Sequence, residues 1–329
     1  MPAPLDTRTT HAPGESAGAA RGVNFVDAKT LMQIKNLQMR AKVIVEGFYA
    51  GIHRSPYHGI SVEFSEYRQY VPGDDVRYVD WRLFARSDRY YVKRFEDETN
   101  VLCYLLVDTS RSMGFGAGDV TKHEYARTLA ATMAYFLYLQ RDAVGLAVFD
   151  EHILEYLLPR RRTGHLRRLM AALQREPQGT GTDLARPLEQ IAKTVRKRGM
   201  VILISDLLAP VEVLATQLGY LRSRGHEVLV LRVLDPSEST FPFTNPRVFH
   251  DMESGKKSYI DPQEARKSYL DAFKEHATGL TKACNDLGVE FVDCPTDRPL
   301  ELSLFDLLRA RMLRSRTPSH NDRKARRGA

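Results

Sequence analysis

From residue 101 onward the chain is punctuated by short runs of mostly apolar residues, and these constrain the fold more than any other feature. Val101 to Val107 reads VLCYLLV, and similar runs follow at Ala143–Phe149, Met200–Ile204, Val228–Val233 and Glu290–Val292. A strand that is apolar on both faces must be covered on both faces, as in a parallel sheet. The intervals carry helical spacing. Thr121-x-x-Glu124 is a capping-box signature that opens a helix toward Gln140. Leu166, Leu169, Met170 and Leu173 form one stripe; Leu184, Leu188, Ile191 and Val195 form another, with a stop signal at Gly199 after Lys197 and Arg198. Pro210 suits the first turn of a further helix, and Asp261-Pro262 opens a long one that ends near Gly288. Ile153–Leu158 follows Phe149 after a short break and reads as an antiparallel edge strand. Alternating strands and helices imply right-handed crossovers and a doubly wound, mostly parallel α/β sheet of about six strands. In such sheets ligands bind at the carboxyl ends of the strands.

The first third of the chain reads differently. Residues 1–22, rich in Pro, Gly, Ala and Thr, read as disordered, and residues 23–47 as a helix that shares Leu31, Ile34, Leu37 and Val45 on one face. Residues 48–98 are dense in Tyr, Arg and Asp, with turn signals at Ser55-Pro56 and Pro72-Gly73-Asp74, and are expected to form a small β-rich subdomain. Residues 99–312 make the main domain. Residues 313–329 form a basic tail, read as solvated and disordered, which contributes to the formal net charge of +7. The three cysteines, Cys103, Cys284 and Cys294, are too few and too widely spaced for a disulfide framework. The N-terminus has no apolar core of a signal peptide and no run is long enough to span a bilayer, so a cytoplasmic location is expected.

Three oxygen-rich loops lie at expected strand ends or helix starts. The first strand runs directly into Asp108-Thr109-Ser110-Arg111-Ser112, in which alternate positions carry Asp, Ser and Ser. Gly179-Thr180-Gly181-Thr182-Asp183 opens a helix, and Val201–Ile204 ends in Ser205-Asp206. Asp and Ser are common in turns, where they bond nearby backbone, so the pentapeptide alone points to nothing. The agreement of three loops at one sheet edge does point to a site. Hydroxyl and carboxylate donors select Mg²⁺, or else Mn²⁺ or Ca²⁺, over Zn²⁺ or copper.

Asp108-x-Ser110-x-Ser112, Gly181-Thr182-Asp183-Leu184 and Ile204-Ser205-Asp206 together resemble the metal-ion-dependent adhesion site of von Willebrand factor A domains. The resemblance implies hydroxyl ligation by Ser110 and Ser112, and direct or water-mediated ligation by Thr182, Asp108 and Asp206. Thr182 is preferred to Thr180 because it directly precedes Asp-Leu at the helix start. Leu207 stands where many members of that family have Gly. The preceding block is similar to the bacterial domain-of-unknown-function family 58. It carries Gly51-x-His53-x-Ser55-x-Tyr57-x-Gly59, Glu63-Phe64, Arg68-x-Tyr70-x-Pro72-Gly73-Asp74-Asp75-x-Arg77, Asp80-Trp81 and Ala85-Arg86 in order. That second resemblance implies a protein-binding module that works with a MoxR-type AAA+ ATPase.

Arg68, Asp74, Asp75, Arg77, Asp80, Trp81 and Arg86 admit two readings: a partner-docking surface beside the metal, or an ion-paired network that holds the β-rich subdomain in place. Catalysis finds little support. Aspartyl-phosphate phosphatases carry D-x-D, and here Ser110 takes the second position. No P-loop and no H-E-x-x-H spacing occurs, and Gly114-x-Gly116-x-Gly118 does not join a strand directly to a helix. The basic tail leaves a nucleic-acid-associated role as the alternative, without a helix-turn-helix, zinc-finger or stacking signature to support it.

Overall fold

The computed structural model describes residues 27–54, 66–69, 91–94, 101–175, 184–195, 197–252 and 255–316. Two helices, α1 (Ala28–Met32) and α2 (Leu37–Arg54), precede an antiparallel pair, β1 (Glu66–Gln69) and β2 (Tyr91–Arg94). The main domain then runs β3 (Leu102–Asp108), α3 (Lys122–Leu139), β4 (Ala143–Phe149), β5 (Ile153–Arg160), α4 (His165–Leu173), α5 (Ala185–Thr194) and β6 (Met200–Ser205). It continues through α6 (Val211–Ser223), β7 (Glu227–Leu234), α7 (Pro236–Thr240), β8 (Arg247–His250), β9 (Lys257–Ile260), α8 (Pro262–Leu287), β10 (Glu290–Pro295) and α9 (Leu300–Arg316).

Six strands form one sheet in the order β10-β7-β6-β3-β4-β5. All pairings are parallel except the edge strand β5, which runs antiparallel to β4. The chain builds outward from β3 through β4 and β5, then returns to lay β6 on the other side of β3. The reversal of winding between β3 and β6 is the topological switch point, where loops diverge and leave room for a ligand.

The apolar runs are explained by the two cores. Cys103, Leu105 and Val107 of β3 face a core closed by α2, α3, α4 and α9, whereas Tyr104 and Leu106 face a second core closed by α5, α6 and α8. At the start of α3 the Thr121 hydroxyl accepts the Glu124 backbone N–H, as the capping signature predicts, and the Glu124 carboxylate pairs with Arg40 of α2. The long helix α8 ends at Gly288 in the left-handed conformation that glycine supplies without strain. Burial pushes the thiols of Cys284 and Cys294 up to about 11, so both are inert core residues at neutral pH. Among the described residues no helix is long and apolar enough to cross a membrane.

Several expectations need correction. The N-terminal helix is two helices, and α2 starts after Asn36, whose side chain accepts the Met39 N–H at 2.9 Å. It also runs on to Arg54, so residues 48–54 are helical rather than β. Phe48 is the reason: its buried ring packs edge-on against Phe136 of α3 at 5.6 Å and against Phe305 of α9 at 4.7 Å. A tertiary contact of this kind has no local signature. The helix expected to stop at Gly199 ends at Thr194, and Val195 is already extended. Gly199 serves another purpose, since a Cβ there would meet the Leu102 carbonyl oxygen at 2.2 Å. Pro210 is the N-cap residue of α6 rather than part of its first turn. Helix α9 continues to Arg316, into the stretch assigned to the tail. Residues 1–22 and 317–329 lie outside the described residues.

Phe48→Ala should lower the unfolding free energy by about 3–5 kcal/mol, the usual result of emptying an aromatic site in a close-packed core. Denaturant unfolding followed by far-ultraviolet circular dichroism would measure it; a loss under about 1 kcal/mol would mean that α2 is not part of the cooperative core.

Candidate functional site

Asp108 closes β3 at the switch point, wholly buried. Its two oxygens are held from different directions. Oδ1 accepts the Ser110 backbone N–H at 2.8 Å, and Oδ2 accepts the Ser205 hydroxyl at 2.6 Å. Ser205 comes from the neighbouring strand: Val107 pairs with Ile204, so the next residues of β3 and β6 lie side by side. The loop after Asp108 is pinned at its base, because Thr109 donates its backbone N–H and its hydroxyl to the Phe149 carbonyl at 2.8 and 3.0 Å. A single 3-10 turn, Arg111–Gly114, follows, anchored by the buried Met113. This turn brings the Ser110 and Ser112 Oγ atoms to 3.1 Å from one another.

Asp206, directly after β6, supplies a second buried carboxylate. Its Oδ1 accepts the Leu208 N–H at 3.3 Å, and its Oδ2 accepts the Lys122 ammonium at 2.8 Å. Burial, followed by repulsion from Asp206, pushes the Asp108 carboxyl up to about 7, against hydrogen bonds from Ser205 and Ser110 that favour its ionised form. Two buried carboxylates beside two adjacent hydroxyls are a donor set for a hard divalent cation. Each carboxylate oxygen keeps a second lone pair for such an ion. The residues present therefore fit a divalent cation.

The structure thus brings together Asp108, Ser110, Ser112 and Asp206. Thr182 lies outside the described residues, although Leu184 after it sits at the N-cap of α5. Of the charged block, Arg68 falls in β1, and Asp74, Asp75, Arg77, Asp80, Trp81 and Arg86 lie outside the described residues. Of the spaced glycines, Gly116 has a structural part: a Cβ there would come within 2.8 Å of the backbone at Val120 and Thr121, so this glycine lets the loop fold back on the start of α3.

The model of the family described as "Protein of unknown function DUF58" matches residues 66–279. The chain belongs to this family. An uncharacterized Mycobacterium tuberculosis protein is 28% identical over 277 residues, covering 83% of this chain and 86% of that one. An uncharacterized Mycobacterium avium protein is 33% identical over 135 residues, covering 40% of this chain and 78% of that one. Among solved structures, the chain is similar to BatB from Bacteroides thetaiotaomicron, at 16% identity and a TM-score of 0.44, over 64% of this chain and 99% of that one. It is also similar to the Rpn10 VWA domain, at 13% identity and a TM-score of 0.38, over 63% of this chain and 94% of that one.

In this DUF58 chain the departure at Leu207 has a visible cost. Its φ is +55°, in the left-handed region that glycine occupies freely and a branched side chain does not. The conformation costs about 1–2 kcal/mol. Full burial of the Leu207 side chain in the second core offsets that by about 1.5–3 kcal/mol. The sharp turn after Asp206 is kept with leucine because its side chain helps fill that core.

Sequence reasoning missed three site residues. Ser205 stands in the sequence only as the end of a strand. Nothing in the local sequence of Lys122 or Glu238 marks either residue. Lys122 opens α3 with its side chain wholly buried, and Glu238 is the third residue of α7, in a reciprocal capping box with Asp235. The Lys122 Nζ bridges Asp206 Oδ2 and Glu238 Oε1, at 2.8 Å each. Burial works against its charge, but Asp206 and Glu238 outweigh it and raise the ammonium pKa above the ordinary value. Further carboxylates nearby are committed: Glu238 Oε2 accepts the Asp235 N–H, and Asp119 pairs with Lys29 on the exposed surface. His165, His226 and His276 spend Nε2 on backbone carbonyls of Val144, Val195 and Ala209.

The raised Asp108 pKa has a consequence for stability without metal. The unfolded chain ionises this carboxyl near 3.8, whereas the folded chain holds the proton to about 7. The stability tied to that proton is complete below about 3.8 and is lost as pH rises to about 7. In EDTA, Asp108→Asn should flatten that decline; an identical pH profile for both proteins would show that Asp108 ionises normally in the folded state.

Proposed function

We propose that the chain is a non-enzymatic protein-interaction module whose docking site is a divalent cation, Mg²⁺ first, held by Asp108, Ser110, Ser112, Thr182 and Asp206. The observation that carries this reading is the convergence of the two hydroxyls and two buried carboxylates at the switch point of the sheet. The protein offers the ion two acidic groups and up to three hydroxyls, some acting through water. An octahedral ion then keeps an exchangeable position for an Asp or Glu of a partner. When bound, the cation supplies positive potential for that carboxylate. The chain's own part is to hold the donors rigidly. The 3-10 turn sets Ser110 and Ser112 side by side, and Ser205 orients Asp108.

A hydrolase would need a base poised beside the site. Of the candidate bases, Asp183 lies outside the described residues, Asp119 pairs with Lys29, and Glu238 is bonded to Lys122 and the Asp235 N–H, which favours recognition over turnover. The partner we propose is the MoxR-type AAA+ ATPase that the family resemblance implies, in protein assembly, maturation or stress response. The charged block from Arg68 to Arg86 is a proposed second contact.

Calorimetric titration with Mg²⁺ tests the metal. Asp108→Ala should abolish binding while circular dichroism stays native, with relief of carboxylate repulsion offsetting part of the lost hydrogen bonds to Ser205 and Ser110. Asp206→Asn, which keeps an acceptor for the buried Lys122, should abolish binding as well. Unchanged affinity would remove the residue in question from the ligand set. Pull-down of a MoxR-type ATPase in Mg²⁺ but not in EDTA would support the partner. Metal-dependent hydrolysis of a phosphoester or peptide by the pure protein, lost in Asp206→Asn, would replace the binding reading with an enzymatic one.

A further inference from the structure

Lys122 is in an expensive place. Its side chain has no solvent exposure, and burial of an ammonium costs several kcal/mol unless it is well paired. It is also the first residue of α3, where the helix dipole disfavours positive charge. Two carboxylates from different segments repay this: Asp206 after β6 and Glu238 in α7, each 2.8 Å from Nζ. Asp206 is a ligand in the proposed cation site. The cluster thus holds three carboxylates, on Asp108, Asp206 and Glu238, and one fixed positive charge.

We propose that Lys122 is a tethered counter-cation of the metal site, which competes with the divalent ion for Asp206 and sets its affinity low. The inference rests on the metal reading above. An ion taken by Asp206 would draw on a carboxylate that is already bonded to the ammonium at 2.8 Å, and so would be held close to a second positive charge. Like charges that close repel more strongly in a protein interior than in water, even when each is a single charge. Glu238 limits the penalty. Its Oε1 gives the ammonium a second partner, so Lys122 can lean on Glu238 when the ion draws on Asp206. The device keeps the metal-free site folded with part of its negative charge balanced, and it leaves a bare divalent ion weakly held until a partner carboxylate adds its own negative charge.

The roles of Lys122 and Glu238 are opposite in sign, and this separates the proposal from a structural ion pair. Mn²⁺ serves as the probe, with affinity read by calorimetry on the full chain. Lys122→Met should tighten Mn²⁺ binding by about tenfold or more, through removal of a charge near the ion. Glu238→Gln, which leaves Lys122 without its second negative partner, should weaken binding. Lys122→Gln keeps a hydrogen-bond donor and guards against misfolding of the methionine variant; it should also tighten binding. Both Lys122 variants should gain more thermal stability from Mn²⁺ than the unaltered chain does. If the unaltered chain binds Mn²⁺ and the Lys122 variants bind it equally or more weakly, the counter-cation role is wrong and the metal reading survives. If the Lys122 variants and the unaltered chain all fail to bind, the metal reading falls and this inference with it. Binding by the variants alone would mean that Lys122 blocks the site outright, the strong form of the proposal.

Discussion

Two carboxylates buried together at the carboxyl edge of a parallel sheet repel one another, and most of the site is organised around that repulsion. Asp108 and Asp206 end adjacent strands at the point where the winding of the sheet reverses. Neither can move away, because each continues a strand buried on both faces. The charge must be met where it stands. Ser205 and the Ser110 N–H hold Asp108, and Lys122 holds Asp206. Without these partners the two buried carboxyls would have to take up protons or stay as unmatched charge, and either costs more than a surface ion pair could offset.

That electrostatic demand spreads through the architecture. Lys122 can reach Asp206 only because the loop from Gly114 to Thr121 folds back, with Gly116 against the backbone at Val120 and Thr121. Lys122 in turn reaches across to Glu238, and so ties the start of α3 to the α7 turn beyond β7. Glu238 also lines an apolar pocket of about 350 Å³ with Phe115, Phe241, Phe249 and Tyr269. The polar site and this aromatic pocket are therefore neighbours that share a carboxylate. Leu207 shows the same economy in the second core, where a strained turn is kept because its side chain is buried.

Much of this was legible in the sequence, for a physical reason. Strands that are buried on both faces must be apolar almost throughout, and the intervening helices must carry a stripe at helical spacing; both patterns are local and survive in one dimension. They located the six strands of the main sheet, including the antiparallel edge strand β5. They also located the long helix that ends at Gly288. The D-x-S-x-S spacing is local too, so Asp108, Ser110 and Ser112 could be named, and the strand preceding Asp206 marked the second carboxylate.

The tertiary structure alone decided what depends on distant partners. Lys122 and Asp206 are separated by 84 residues and Lys122 and Glu238 by 116, so the ion pairs at the centre of the site have no signature in either neighbourhood. The same holds for α2. Its extension to Arg54 follows from the rings of Phe136 and Phe305, which close around Phe48 from helices far along the chain. Gly199 looked like a helix stop and proved to be a close approach to Leu102. The sequence by itself determined which segments become strands and helices, and which oxygens stand at strand ends, because periodicity and turn chemistry act over a few residues. Only the folded chain decided how the charge on those oxygens is balanced, because Coulomb forces act through space between groups that the sequence keeps far apart.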